Sequence, residues 1–115
     1  MAFTERELNR IDATVGDLCR RISPPEHADA LRFSYEIDGH AVAIHEERRP
    51  RDGTNGEWTR LGVARFRFFR SRGEWLLYWM RSDLKWHLYE PIGPSRTLPR
   101  LVRYVEADRY YCFFG

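Results

Sequence analysis

The segment Asp83-Leu84-Lys85-Trp86-His87-Leu88-Tyr89-Glu90 gathers acidic, basic and imidazole side chains into a short stretch. Asp-x-Lys is the form that metal-dependent nucleases use at a strand. There the carboxylate holds a Mg²⁺ and the lysine steadies the attacking water. Such a centre needs a second carboxylate from a neighbouring strand, and Glu74 is the nearest in sequence. Asp83, Lys85, Glu74 and His87 would then be the catalytic set of a small metal-dependent hydrolase. Two features weigh against it. The three-residue pattern is common by chance, and Asp83 falls in a turn rather than on a strand. A non-catalytic module with no metal and no cofactor is the expectation, with the hydrolase as the alternative.

Other chemistries find no framework. Cys19 and Cys112 lie at opposite ends of the chain and outside any C-x-x-C pair. His45 and His87, assigned to one sheet face, could approach each other, but two histidines alone do not fix a metal. No G-x-S-x-G elbow, phosphate-cradling glycine loop or Cys/His nucleophile arrangement is present.

Binding is better supplied. Arg65, Arg67, Lys85 and His87 interleave with Tyr78 and Tyr89 over three stretches of strand character, Trp58–Arg70, Glu74–Arg81 and Lys85–Glu90. Alternation assigns Ala64, Phe66, Phe68, Trp75, Leu77, Trp79, Trp86 and Leu88 to a buried face. Arg65, Arg67, Leu76, Tyr78, Lys85, His87 and Tyr89 then share the other face with Glu36, His45 and Glu47. Arginines with rings on an open sheet suit single-stranded nucleic acid, the cations on phosphates and the rings on bases. The same residues could instead satisfy one another, with Arg65, Arg67 and Lys85 pairing across strands to Glu36, Glu47 and Glu74. The glycine-aromatic signature of RNA-binding sheets is missing. Another protein or a second copy of the chain is thus the expected partner, with nucleic acid the sharper alternative.

These side chains need a frame. Thr4 and Glu7 form a capping box after Phe3, and Leu8, Ile11, Val15, Leu18 and Ile22 recur at helical steps until Ser23-Pro24-Pro25. From Leu31 the period changes to two. Asp38-Gly39 signals a two-residue hairpin, with a return strand from His40 to Glu47. That register sets Ile37 opposite His40, Tyr35 opposite Val42 and Phe33 opposite Ile44. The polar run Arg48 to Glu57 is expected to be a mobile connection. Ser71-Arg72-Gly73 and Ser82-Asp83-Leu84 separate the last three strands, and Thr97 to Ala107 reads as a second helix with Pro99 in its first turn. Helix, five strands, helix with short connections predicts an α+β fold: a five-stranded antiparallel meander with both helices on one face. Tyr110, Tyr111, Phe113 and Phe114 are too apolar to stay in water, so the tail is expected to dock on the domain or on a second subunit.

A chain of 115 residues with 15% aromatic content can build one core without staples. Its 19 basic and 17 acidic residues nearly balance, so any polyanion role needs a local patch. The opening Met-Ala-Phe-Thr-Glu-Arg-Glu is acidic and no apolar stretch follows, so a signal peptide is not expected. The longest apolar run, Trp75 to Met80, is far short of a membrane span. A cytoplasmic protein with free thiols and no membrane partner is the expectation.

The sequence also resembles the bacterial domain of unknown function 3024 family. The resemblance rests on Met1 to Leu8, Ser23-Pro24-Pro25, Ala43-Ile44-His45-Glu46-Glu47, the run from Glu74 through Asp83-Leu84-Lys85-Trp86-His87 to Pro91, and the closing Cys112-Phe113-Phe114-Gly115. It implies a small, stand-alone bacterial cytoplasmic protein and no particular activity. Attention falls on Trp79, Asp83, Lys85, Trp86, His87 and Tyr89, which make it recognisable.

Overall fold

The structure is a computed structural model that describes residues 3–50 and 57–114. Thr4 caps α1 (Glu5–Ile11), accepting from the Glu7 N–H while the Glu7 carboxylate accepts from the Thr4 N–H, as the capping box requires. The helix widens into a π-type turn (Asp12–Gly16) and continues as α2 (Asp17–Ile22). Ile11, Val15, Leu18 and Cys19 point into the core, whereas Leu8, expected on the same stripe, is exposed. Phe3 closes that end instead, stacked on Trp75 at 5.7 Å.

Five antiparallel strands follow in meander order: β1 (Leu31–Asp38), β2 (Ala41–Arg48), β3 (Thr59–Phe69), β4 (Glu74–Met80) and β5 (Trp86–Leu88). Helix α3 (Leu98–Ala107) buries Leu98, Leu101, Val102 and Val105. It shares one core with α1, α2 and the inner sheet face, where Val42, Ile44, Ala64, Phe66, Leu77 and Trp75 lie. The α+β meander with both helical segments on one side is therefore the fold. The connection expected at 48–57 lies, over residues 51–56, outside the described residues.

Three details correct the expected registers. The first hairpin turns at Gly39-His40, one residue later than Asp38-Gly39, with Gly39 at φ +59°. Positive φ at the first loop position alone suits a glycine there. Ile37 thus faces Val42, Tyr35 faces Ile44 and Phe33 faces Glu46. Moving the loop by one residue shifts the pairing by two, so each side chain keeps its face. In β3 the pairing slips between Ile44 and His45, leaving Val63 as an extra residue, and Val63 and Ala64 are both buried.

The third correction changes faces. Ser82-Asp83-Leu84 forms a three-residue turn closed by the Leu84 N–H to the Arg81 carbonyl (2.9 Å), with Leu84 left-handed at φ +62°. An odd loop pairs even numbers with even: Met80 with Trp86, Trp79 with His87, Tyr78 with Leu88. Trp86 and Leu88, expected inside with Trp75, Leu77 and Trp79, therefore join Tyr78 and Met80 on the outer face. His87 and Tyr89, expected outside, turn inward, and Tyr89 is only 2% exposed, its ring 4.9 Å from Phe113.

The tail docks within the chain. Asp108 leaves α3 in the left-handed conformation, and its carboxylate accepts the N–H groups of Phe113 (2.9 Å) and Phe114 (2.8 Å). Phe113 is buried and Phe114 packs edge-on to Phe33, while Tyr110 and Tyr111 stay exposed. The described residues of the tail add no strand at a sheet edge.

Candidate functional site

Asp83 sits in the β4–β5 turn, where its carboxylate accepts the Lys85 backbone N–H (3.0 Å) and meets His87 Nε2 at 2.8 Å. The hydrogen bond with His87, then that from Lys85, holds the Asp83 carboxyl below its usual range. Lys85 thus meets Asp83 through its backbone. Glu74 begins β4 opposite Phe69, so about 20 Å of extended strand separates it from Asp83. The structure joins Asp83 with His87 and leaves Glu74 apart. Among the described residues no group of three or more His, Cys, Asp or Glu side chains is placed to hold a metal ion.

His45 and His87 do not approach each other, because the odd turn places them on opposite faces. His45 bonds Arg60 Nη2 (3.2 Å) and lies edge-on to Trp86. Burial, reinforced by the Arg60 charge, lowers its pKa and favours the neutral ring. Cys19 and Cys112 are both free. Burial pushes the Cys19 thiol up to about 11, which makes it an inert core group.

The outer sheet face holds the other candidates. Arg65 and Arg67 follow each other on β3, with Tyr78 opposite Arg65 and Leu76 opposite Arg67. Arg65, Arg67, Tyr78 and Trp86 line an open depression of about 210 Å³. No described element covers it. The β3 pleat sets the two arginines about 7 Å apart along the strand. Trp86 reaches it across Gly62, where an added Cβ would lie 2.7 Å from the indole. The glycine is what admits the ring to this position.

Two acids of this face, Glu36 and Glu47, are engaged elsewhere, while Asp38 and Glu74 share it opposite Ala41 and Phe69. Glu36 pairs with Arg60 (3.2 Å), and Glu47 accepts from Ser34 (2.7 Å) and Arg32 (3.3 Å). The Ser34 hydroxyl, with Arg32 and Arg60 nearby, lowers the Glu47 pKa. Neither the Arg65 nor the Arg67 side chain makes a hydrogen bond or ion pair among the described residues, so the expected pairing with Glu36, Glu47 and Glu74 is not formed. Arg67 instead lies 5.0 Å from the Phe69 ring, with Arg72 at 4.5 Å. Of the sequence candidates for binding, Arg65, Arg67 and Tyr78 stand together, while His87 and Tyr89 belong to the inner side. Trp86 and Gly62 were not singled out for this surface. The length of the Ser82–Leu84 turn was the signal that could have placed Trp86 there.

His87 and Tyr89 instead line a groove of about 290 Å³ with Trp79, Arg81, Glu90 and Cys112. It brings together the two stretches on which the family resemblance chiefly rests, the Asp83–Tyr89 segment and the tail. No described helix is long and apolar enough to cross a membrane. No curated protein and no solved structure matches the chain. A family model described as a domain of unknown function (DUF3024) matches residues 3–115. The match runs through all five strands, both helical segments and the tail, and the chain belongs to the DUF3024 family.

Proposed function

We propose that the protein is a non-catalytic binding module that engages an anionic partner through the uncovered sheet face, at Arg65 and Arg67 with Tyr78 and Trp86. One observation carries this reading. Among the described residues, two neighbouring guanidinium groups on an open face have no acidic partner, and Glu36 and Glu47 of the same face are held by other residues. A planar guanidinium without a carboxylate presents several donors in a fork that fits phosphate or carboxylate oxygens. The arrangement supports the hydrolase less, since its second carboxylate stands at the far end of β4.

Heparin chromatography in a salt gradient tests the reading. The double reversal Arg65→Glu/Arg67→Glu is expected to elute at clearly lower salt than the reversal Arg100→Glu/Arg103→Glu on α3, which changes net charge equally. Equal elution of the two variants contradicts a local site on the sheet.

A further inference from the structure

We infer that the anionic partner is single-stranded nucleic acid, with its phosphates on Arg65 and Arg67 and its bases on Tyr78 and Trp86. This rests on the anion-binding reading and adds a claim about the rings. A face built only for a polyanion has no need of half-buried aromatics between its cations. Here Tyr78 stands opposite Arg65, and Trp86 lines the same depression.

The access for Trp86 depends on two local features. The three-residue turn brings its side chain to the outer face, and Gly62 leaves room for the indole beside β3. Rings on an exposed sheet stack with any base, whereas duplex bases are stacked on one another and shielded. Arginines about two residues apart on one strand face sit close to the spacing of successive phosphates along an extended single strand. Phe69, held between Arg67 and Arg72, continues the cationic and aromatic surface along β3. Two acidic side chains of the face, Glu36 and Glu47, lie towards the β1–β2 side, where Arg60 and Arg32 neutralise them, and Asp38 and Glu74 sit at the strand ends opposite Ala41 and Phe69. Beside Tyr78 and Trp86 the face is positive, from Arg65 and Arg67 on β3.

The test is fluorescence anisotropy with a labelled oligothymidylate, challenged by unlabelled polyphosphate, a duplex of the same length and poly-glutamate. The oligothymidylate is expected to bind in a salt-dependent manner and to resist all three competitors. Tyr78→Ala and Trp86→Leu are each expected to weaken it at least about fivefold, while Trp86→Phe, which keeps a ring, retains most of the affinity. Polyphosphate binding should ignore these ring substitutions and fall with Arg65→Glu/Arg67→Glu. If polyphosphate or duplex competes equally and the ring variants bind like the parent, stacking is overturned and the anion-binding face stands. If poly-glutamate displaces the oligonucleotide most effectively, the partner is an acidic protein segment and the nucleic-acid inference is overturned. If the oligonucleotide, polyphosphate and poly-glutamate all fail to bind, both readings fall together.

Discussion

Trp75 is 9% exposed and packs between Phe3 and Phe68, whereas Trp86 is half-buried on the opposite face against Gly62 and His45. Truncation should separate them. Trp75→Ala is expected to cost about 3–5 kcal/mol by urea denaturation, and Trp86→Ala roughly half as much, because part of its surface already meets water. Glu7 offers a different handle. The hydrogen bond from Arg70, then that from the Thr4 N–H, lowers its pKa from 4.5 to about 2. A carboxylate depressed in the folded state contributes stability above its unfolded pKa and loses it as pH falls towards the folded one. The contribution is therefore present at neutral pH and disappears between about 4.5 and 2. Glu7→Gln should lower stability at pH 7 by about 1 kcal/mol or less, as for a surface pair, and should no longer do so near pH 2. A difference that persisted unchanged at acid pH would locate the effect elsewhere. Both Glu7 in its capping box and Trp75 in the core were legible from spacing alone. The fate of Trp86 was not, since a large apolar ring reads as interior whichever face the backbone gives it.

At the scale of elements, two turns decided how much of the site could be foreseen. The Gly39-His40 turn lies one residue from its expected place without consequence, because a two-residue change in pairing preserves faces. The Ser82–Leu84 turn had the larger effect. An apolar alternation of Trp86 and Leu88 pointed inward, but the odd loop length sends His87 and Tyr89 there and lets Tyr89 meet Phe113. Loop parity outweighed side-chain polarity because the turn sets the pairing register, and the register assigns a face to every residue of this short strand. Leu84 is 67% exposed and left-handed, so its side chain contributes little burial to set against the backbone strain. Leu84→Gly is expected to stabilise the protein by about 0.5–1 kcal/mol, read as a higher Tm. Gly62→Val tests the neighbouring contact. Its branched side chain would collide with Trp86 and Met80, and displacement of the indole should appear as a red-shifted tryptophan emission with lower stability.

Across the whole molecule, the helices and the tail are committed to the inner face. Arg21 ties α2 to Glu106 on α3 (2.5 Å), and Arg70 ties the end of β3 to Glu7 on α1 (2.8 Å). Phe113 and Phe114 close the same side over Tyr89 and Phe33. Deleting residues 111–115 is expected to lower Tm with no change in sedimentation mass, since Phe113 is buried within the chain. A change of mass on deletion would show that the tail bridges subunits. The composition made a docked tail foreseeable. Its anchor was not, because Asp108 bonds backbone N–H groups that no side-chain pattern announces.

With the inner side occupied, the outer face over β3–β5 is where the account places function, and amide chemical-shift mapping of the labelled protein during oligothymidylate titration examines it most directly. Shifts are expected to concentrate at Arg65, Arg67, Tyr78 and the Trp86 indole N–H, and to vanish in Arg65→Glu/Arg67→Glu. Shifts confined to the groove of Trp79, Arg81, His87 and Cys112, or spread evenly over the helices, would contradict it.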